Sequence, residues 1–151
     1  MNYNIVMNIL FFMIPKSQVC FAEAHWSLRQ VAEKMIANDF TALPIINAEG
    51  QYVGAISEGD LFRFIKLKAN LNYKEAENTP ISSIRHERDV KPIRFDAEMK
   101  DLVCLAGKQN FVPVLDENGI FMGIITRQAI IGYLDEKLKS IPDSKFPKSL
   151  R

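Results

Sequence analysis

The 151-residue chain has little of what most site chemistries need. It has two cysteines and two histidines, and 19 Lys and Arg against 18 Asp and Glu leave a net charge of +1. That balance gives no strong electrostatic drive toward nucleic acid or an anionic membrane surface. Cys20 and Cys104 show neither a CxxC spacing nor a neighbouring histidine. Flanked by apolar residues, they read as buried, reduced thiols of an intracellular, cytoplasmic protein. His25 and His86 lack metal-ligand spacing, so no metal site is expected. A glycine-rich phosphate loop, a GxSxG elbow and a Cys/His pairing are also missing, as is any acid, base and nucleophile cluster. A small enzyme is therefore the least supported reading, and no catalytic cofactor is expected.

Long hydrophobic runs are missing too. Ile5 to Ile14 ("IVMNILFFMI") falls short of the roughly 20 residues that span a bilayer. With Ala22-Glu23-Ala24 it imitates a signal peptide, but no Lys or Arg precedes it, Asn8 interrupts it, and Pro15-Lys16 follow. It is expected to fold and cover another apolar surface, with no membrane insertion.

What is present is 48% hydrophobic residues, enough for one unit of domain size without staples. They are arranged as a repeat. Pro44 to Gly54 ("PIINAEGQYVG") recurs 69 residues later as Pro113 to Gly123 ("PVLDENGIFMG"), aligning Gly50 with Gly119, Gly54 with Gly123 and Ser57 with Thr126. Upstream the offset grows by two, matching Leu28 to Met99.

Each copy carries the same elements. Leu28, Val31, Ala32, Met35 and Ile36 recur at helical spacing behind a Ser27/Gln30 capping box, and Met99, Leu102, Val103 and Ala106 repeat that face. The apolar runs Leu43 to Ile46 and Tyr52 to Ile56 flank an Asn/Gly turn, as do Phe111 to Leu115 and Ile120 to Ile125 around an Asp/Gly turn, which predicts two hairpins. A second helix starts at Ser57 or Thr126, with Leu61, Phe64 and Ile65 on one face in the first copy and Ile131, Leu134 and Leu138 in the second. The expected organisation is an N-terminal segment with repeat 1 over 1–67, a linker over 68–89 with a helical turn around Ile81 to Ile84, repeat 2 over 90–138, and a polar tail over 139–151.

Thr41-Ala-Leu-Pro-Ile-Ile46 with Gly54-Ala-Ile-Ser-Glu-Gly-Asp60, and Asn110-Phe-Val-Pro-Val-Leu115 with Gly123-Ile-Ile-Thr126, resemble a tandem pair of CBS (cystathionine β-synthase-type) domains, a Bateman module. The resemblance covers roughly residues 14 to 138. It implies an α+β fold, an α/β-type sandwich of two pseudo-two-fold-related repeats, each β-α-β-β-α. The residues outside that span leave no room for an attached enzyme or transporter domain, so a stand-alone pair is expected. The segment "FFMIPKSQV" is similar to the start of small bacterial CBS-pair proteins, some of which are cyclic di-AMP receptors.

The resemblance further implies two clefts between the repeats, each able to hold an adenosine nucleotide. One would combine Ser57 and Asp60 with Val90, Lys91, Pro92 and Ile93 and with Asn110, Phe111, Val112 and Pro113. The other would combine Thr126 and Arg127 with Lys16, Val19, Thr41, Ala42, Leu43 and Pro44. A carboxylate can accept both ribose hydroxyls, and a hydroxyl at a helix N-terminus joins N–H groups that favour phosphate. Ser57 and Asp60 equally form a capping box, a purely structural role.

In the second copy Ala129 stands where the carboxylate would be, so the two clefts are expected to be unequal, with Arg127 compensating by pairing with a phosphate. Arg85, His86, Arg88, Lys91 and Arg94 either direct charge toward phosphates or form a solvated linker. The expected function is a non-catalytic regulatory module that binds AMP, ADP or ATP and signals to an unidentified partner protein. Cyclic di-AMP, S-adenosylmethionine and a ligand-free dimerisation module are the alternatives. A homodimer is expected through helical faces carrying Leu61, Phe64, Ile131 and Tyr133.

Overall fold

A computed structural model describes residues 7–68, 72–84 and 89–142. After a 310 turn at Ile9–Phe12 come β1 (Ile14–Pro15), a second 310 turn at Lys16–Gln18, and the first repeat: β2 (Ala22–Glu23), α1 (Leu28–Asn38), β3 (Ala42–Ile46), β4 (Tyr52–Ser57) and α2 (Glu58–Leu67). The short helix α3 (Tyr73–Asn78) and a 310 turn at Ile81–Ser83 lead to the second repeat, β5 (Ile93–Arg94), α4 (Met99–Ala106), β6 (Phe111–Leu115), β7 (Phe121–Thr126) and α5 (Arg127–Lys139). Each repeat is β-α-β-β-α, as expected. The turn at Ile81–Ser83 was anticipated; α3 was not, because its six residues carry little apolar pattern.

The 69-residue offset is a geometric identity. β3 pairs with β4 from Ala42↔Ser57 to Ile46↔Tyr52, and β6 with β7 from Phe111↔Thr126 to Leu115↔Phe121, each ladder slipping at the same step. The first strand of each repeat joins in parallel, Ala22↔Ile45 and Ile93↔Val114. Between the two sheets lies an isolated antiparallel bridge from Gln51 to Ile120, which are equivalents under the offset, so the pseudo-two-fold axis passes there.

Each repeat has its own core, and each core is completed by a segment leading into the other repeat. Leu28, Val31, Met35, Leu43, Ile45, Ile56 and Leu61 bury together with Ile81 and Ile84. Leu102, Ala106, Val112, Val114, Ile125 and Ile130 bury with Ile9, while Leu10, Phe12 and Met13 pack alongside. β1 also pairs antiparallel with β7, making a four-stranded sheet of order β1-β7-β6-β5 beside the three-stranded β2-β3-β4. The described part of the early apolar run is thus folded and covers another apolar surface. Among the described residues no helix is long and apolar enough to cross a membrane.

Several sequence expectations fail on helix geometry. Ile36 is 82% exposed, because the inward stripe of α1 is Leu28, Val31 and Met35 and the next position turns to solvent. Ile65, Ile131, Leu134 and Leu138 are also exposed, and Ile130 is the buried anchor of α5. Of the faces assigned to a dimer, Leu61 is buried, Phe64 packs against the first core, and Tyr133 packs edge-on against Phe12 at 5.2 Å. Cys104 is exposed, lying between two inward-leaning neighbours of α4, whereas Cys20 is half-buried and its thiol pKa is raised by burial.

Candidate functional site

Ser57 ends β4 in extended backbone and is the N-cap of α2. The capping box forms in full: the Asp60 N–H donates to Ser57 Oγ at 3.2 Å, and the Ser57 N–H donates to Asp60 Oδ2 at 2.9 Å. Ser57 Oγ also donates to Oδ2 at 2.9 Å, and Arg63 Nη2 donates to Oδ1 at 2.7 Å. Asp60 is only 5% exposed, a buried carboxylate paired with a guanidinium in the first turn of a helix. Thr126 repeats half of this. Its hydroxyl accepts from the Ala129 N–H at 3.2 Å, and Ala129 has no carboxylate to return the bond.

Asp60 and Arg63 open onto a cavity of about 580 Å³ between the repeats. Of the residues expected in this cleft, Ser57, Asp60, Val90, Lys91, Asn110 and Phe111 line it together. Ile93 is buried in β5, Val112 and Pro113 are buried within β6, and Pro92 is exposed; none of the four lines the cavity. Ala42 and Arg127, assigned to the opposite cleft, line this one instead.

The remaining members of that opposite set are scattered. Lys16 lines a separate recess of about 260 Å³ with Phe21, Glu23, His25 and Gly50, its Nζ lying 5.5 Å from the Phe21 ring centroid. Val19 is half-buried, Thr41 is exposed, and Leu43 and Pro44 are buried in β3. The Thr41 carbonyl accepts from the Glu58 N–H at 2.9 Å, as that of Asn110 does from the Arg127 N–H at 2.8 Å, so both serve helix starts.

Arg127 has a structural role as well. Its Nε donates to the Ala106 carbonyl at 2.7 Å, closing the C-terminus of α4, where a positive charge is favourable. Lys91, Lys108 and Arg127 all line the cavity, and none has a carboxylate partner among the described residues. With Asp60 neutralised by Arg63, Asp89 is the other acid at the wall, so the cleft is net cationic. Arg94 instead pairs with Asp96 at 3.0 Å, and Arg85, His86 and Arg88 lie outside the described residues.

Two side chains that were not anticipated hold the wall at Val90 and Lys91. The Tyr52 hydroxyl donates to the Val90 carbonyl at 2.6 Å. Burial, and secondarily the charge of Asp89, push its pKa well above the usual tyrosine range, so the phenol stays a donor. Gln109 bonds both main-chain groups of Lys91. Arg63 was legible as the i+3 partner of Asp60 on a helix; Tyr52 and Gln109 act across 38 and 18 residues, beyond any local pattern.

The model of the family described as "CBS domain" matches this chain twice, at residues 12–67 and 81–136. An uncharacterized protein of Methanocaldococcus jannaschii is 29% identical over 113 residues, covering 70% of this chain and 40% of its own length, so the chain spans less than half of that relative. The crystal structure of CbpB in complex with c-di-AMP superposes with a TM-score of 0.77 at 25% identity, covering 89% of this chain and 88% of that one. That of CBSX2 in complex with AMP superposes with a TM-score of 0.63 at 22% identity, covering 86% and 98%, a likeness of fold. With its two matched segments joined by the repeat geometry described above, the chain belongs to the CBS-domain family.

Proposed function

We propose that the protein is a cytoplasmic, non-catalytic regulatory module that binds an adenine nucleotide in the cleft between its repeats and passes the change in their packing to a partner protein. The observation that carries this reading is the cavity itself. It is of small-molecule size, it is lined by both repeats, and its lining brings a buried carboxylate, Asp60, together with Lys91, Lys108 and Arg127. A carboxylate suits a ribose diol, and three cations without carboxylate partners among the described residues suit phosphate. A ligand touching both repeats can shift their arrangement only by binding one arrangement better than another. Binding and orientation are sufficient for this role, and no bond is made or broken.

AMP, ADP and ATP are the first candidates, since Asp60 favours a ribose with both hydroxyls free. Cyclic di-AMP is the second reading, favoured by the likeness to CbpB in complex with c-di-AMP and by the cationic wall. A homodimer completes the proposal, with Phe62, Ile65, Ile131, Leu134 and Leu138 as its exposed apolar positions. Isothermal titration against AMP, ADP, ATP, cyclic di-AMP and S-adenosylmethionine tests it. Binding of one adenine nucleotide tighter than about 1 mM supports the module; binding of none overturns it and leaves the ligand-free scaffold.

A further inference from the structure

Gln109 fills a gap between two diverging chain segments at the cleft wall. β5 and β6 pair only at Ile93↔Val114 and Arg94↔Leu115. Just ahead of that pairing, the side chain of Gln109 bridges the segments. Its Nε2 donates to the carbonyls of Lys91 at 2.8 Å and Phe111 at 3.0 Å, and its Oε1 accepts from the Lys91 N–H at 3.2 Å. One planar carboxamide therefore satisfies both main-chain polar groups of Lys91, at the wall of a 580 Å³ cavity that Gln109 and Lys91 both line. The equivalent residue in the first repeat is Phe40, 43% exposed, whose ring can form none of these bonds.

A carboxamide offers an N–H donor beside an acceptor in one plane. An adenine edge offers the same pair, an amino N–H beside a ring nitrogen, which is why the two groups are matched partners in base recognition. The N–H and C=O of a backbone residue such as Lys91, which lines the cavity, are complementary to either. Here the internal group already holds it.

We infer that Gln109 is a specificity-determining residue that occupies the base-reading edge of the cleft: an adenine base enters by displacing the Gln109 carboxamide from Lys91 and taking over its donor–acceptor pair. This rests on the nucleotide-binding reading above. The displaced bonds are regained by the base, so occupancy by Gln109 lowers affinity for the base without touching the phosphate or ribose contacts.

The test is titration of wild-type protein and Gln109→Ala with AMP and with ribose 5-phosphate, which has no base. The variant is expected to bind AMP about tenfold tighter, the equivalent of one to two net hydrogen bonds, and ribose 5-phosphate unchanged. If wild type binds AMP and the variant binds it equally or more weakly, Gln109 is a strut for the Lys91 segment, and the inference falls while the nucleotide reading stands. An equal gain for ribose 5-phosphate also overturns it. Failure of both proteins to bind any adenine nucleotide overturns both readings. A second measurement covers a variant that does not fold: in wild type, saturating AMP should accelerate hydrogen exchange of the Gln109 side-chain amide, and unchanged protection in the AMP complex sinks the inference.

Discussion

Tyr52 and Phe121 occupy equivalent positions in the two repeats and stack on one another across the pseudo-two-fold axis, with ring centroids 6.5 Å apart and planes inclined by 23°. They differ by a single hydroxyl. That hydroxyl reaches the Val90 carbonyl at 2.6 Å and ties the first repeat to the cleft wall of the second. The opposite side has only a phenylalanine edge. The two repeats therefore differ at the axis as well as at Asp60 and Ala129.

Replacing Tyr52 with Phe removes this bond and keeps the stack, so it should cost about 1 kcal/mol of stability, read as a shift in the urea midpoint. The difference should depend on pH. The folded state holds the phenolic proton more tightly than the unfolded chain, so the tyrosine's contribution is complete below the unfolded pKa of about 10 and is lost as pH rises through the folded value. The advantage of wild type over Tyr52→Phe should narrow above about pH 10.

Asp60 holds a cap and an arginine together, so Asp60→Ala should be a stability variant first. Loss of the reciprocal cap and of the Arg63 bond predicts roughly 2 kcal/mol, measured by thermal or urea unfolding. Asp60→Asn keeps an acceptor for the Ser57 N–H and should cost roughly half as much. It is the variant to use for ribose contact, with AMP affinity expected to fall about tenfold in titration.

The cationic wall should be read by phosphate count. Lys108→Gln leaves every hydrogen bond described above in place, and should weaken ATP about fivefold or more while leaving adenosine unchanged. Equal loss for both ligands would assign Lys108 a role in the shape of the cleft. Raising salt from about 0.05 to 0.5 M should weaken ATP binding more than adenosine binding.

Two aligned glycines are required for different reasons. Gly54 has a φ of +146°, which L side chains rarely adopt. At Gly123 an added Cβ would collide with the Ile14 carbonyl oxygen, where β1 pairs with β7. Gly123→Ala should cost roughly 2–3 kcal/mol and free the 310 turn carrying Ile9, seen as faster hydrogen exchange there. Ile9→Ala, at 0% exposure, should cost a similar 2–4 kcal/mol by cavity formation.

If the protein dimerises through its exposed helical positions, Ile131→Asp combined with Phe62→Asp should shift its sedimentation to that of a single chain with nearly unchanged monomer stability, since the two are 57% and 68% exposed. A Leu61→Asp change should instead unfold the first repeat.

Most of the architecture was legible because it is written twice. Pro44 with Pro113 and Gly50 with Gly119 mark the same hairpin, and local patterns such as Ser57-x-x-Asp60 report the capping they specify. Helix faces were less legible where apolar residues exceeded the stripe: Ile36 and Ile131 continue a hydrophobic count but not the geometry of burial. The cleft was half legible. Ser57, Asp60, Val90, Lys91, Asn110 and Phe111 line one cavity, yet Arg127 lies with them rather than with Lys16.

By itself the sequence determined the repeat, the order of its elements, the family and the loss of a carboxylate at Ala129, since these depend on local propensity and self-comparison. Only the tertiary structure decided that the leading segment completes the second core, that Arg127 and Asp60 share a cleft, and that Tyr52 and Gln109 hold its wall. Those facts follow from contacts between residues far apart in the chain, formed when two sheets meet about an axis that no single stretch of sequence encodes.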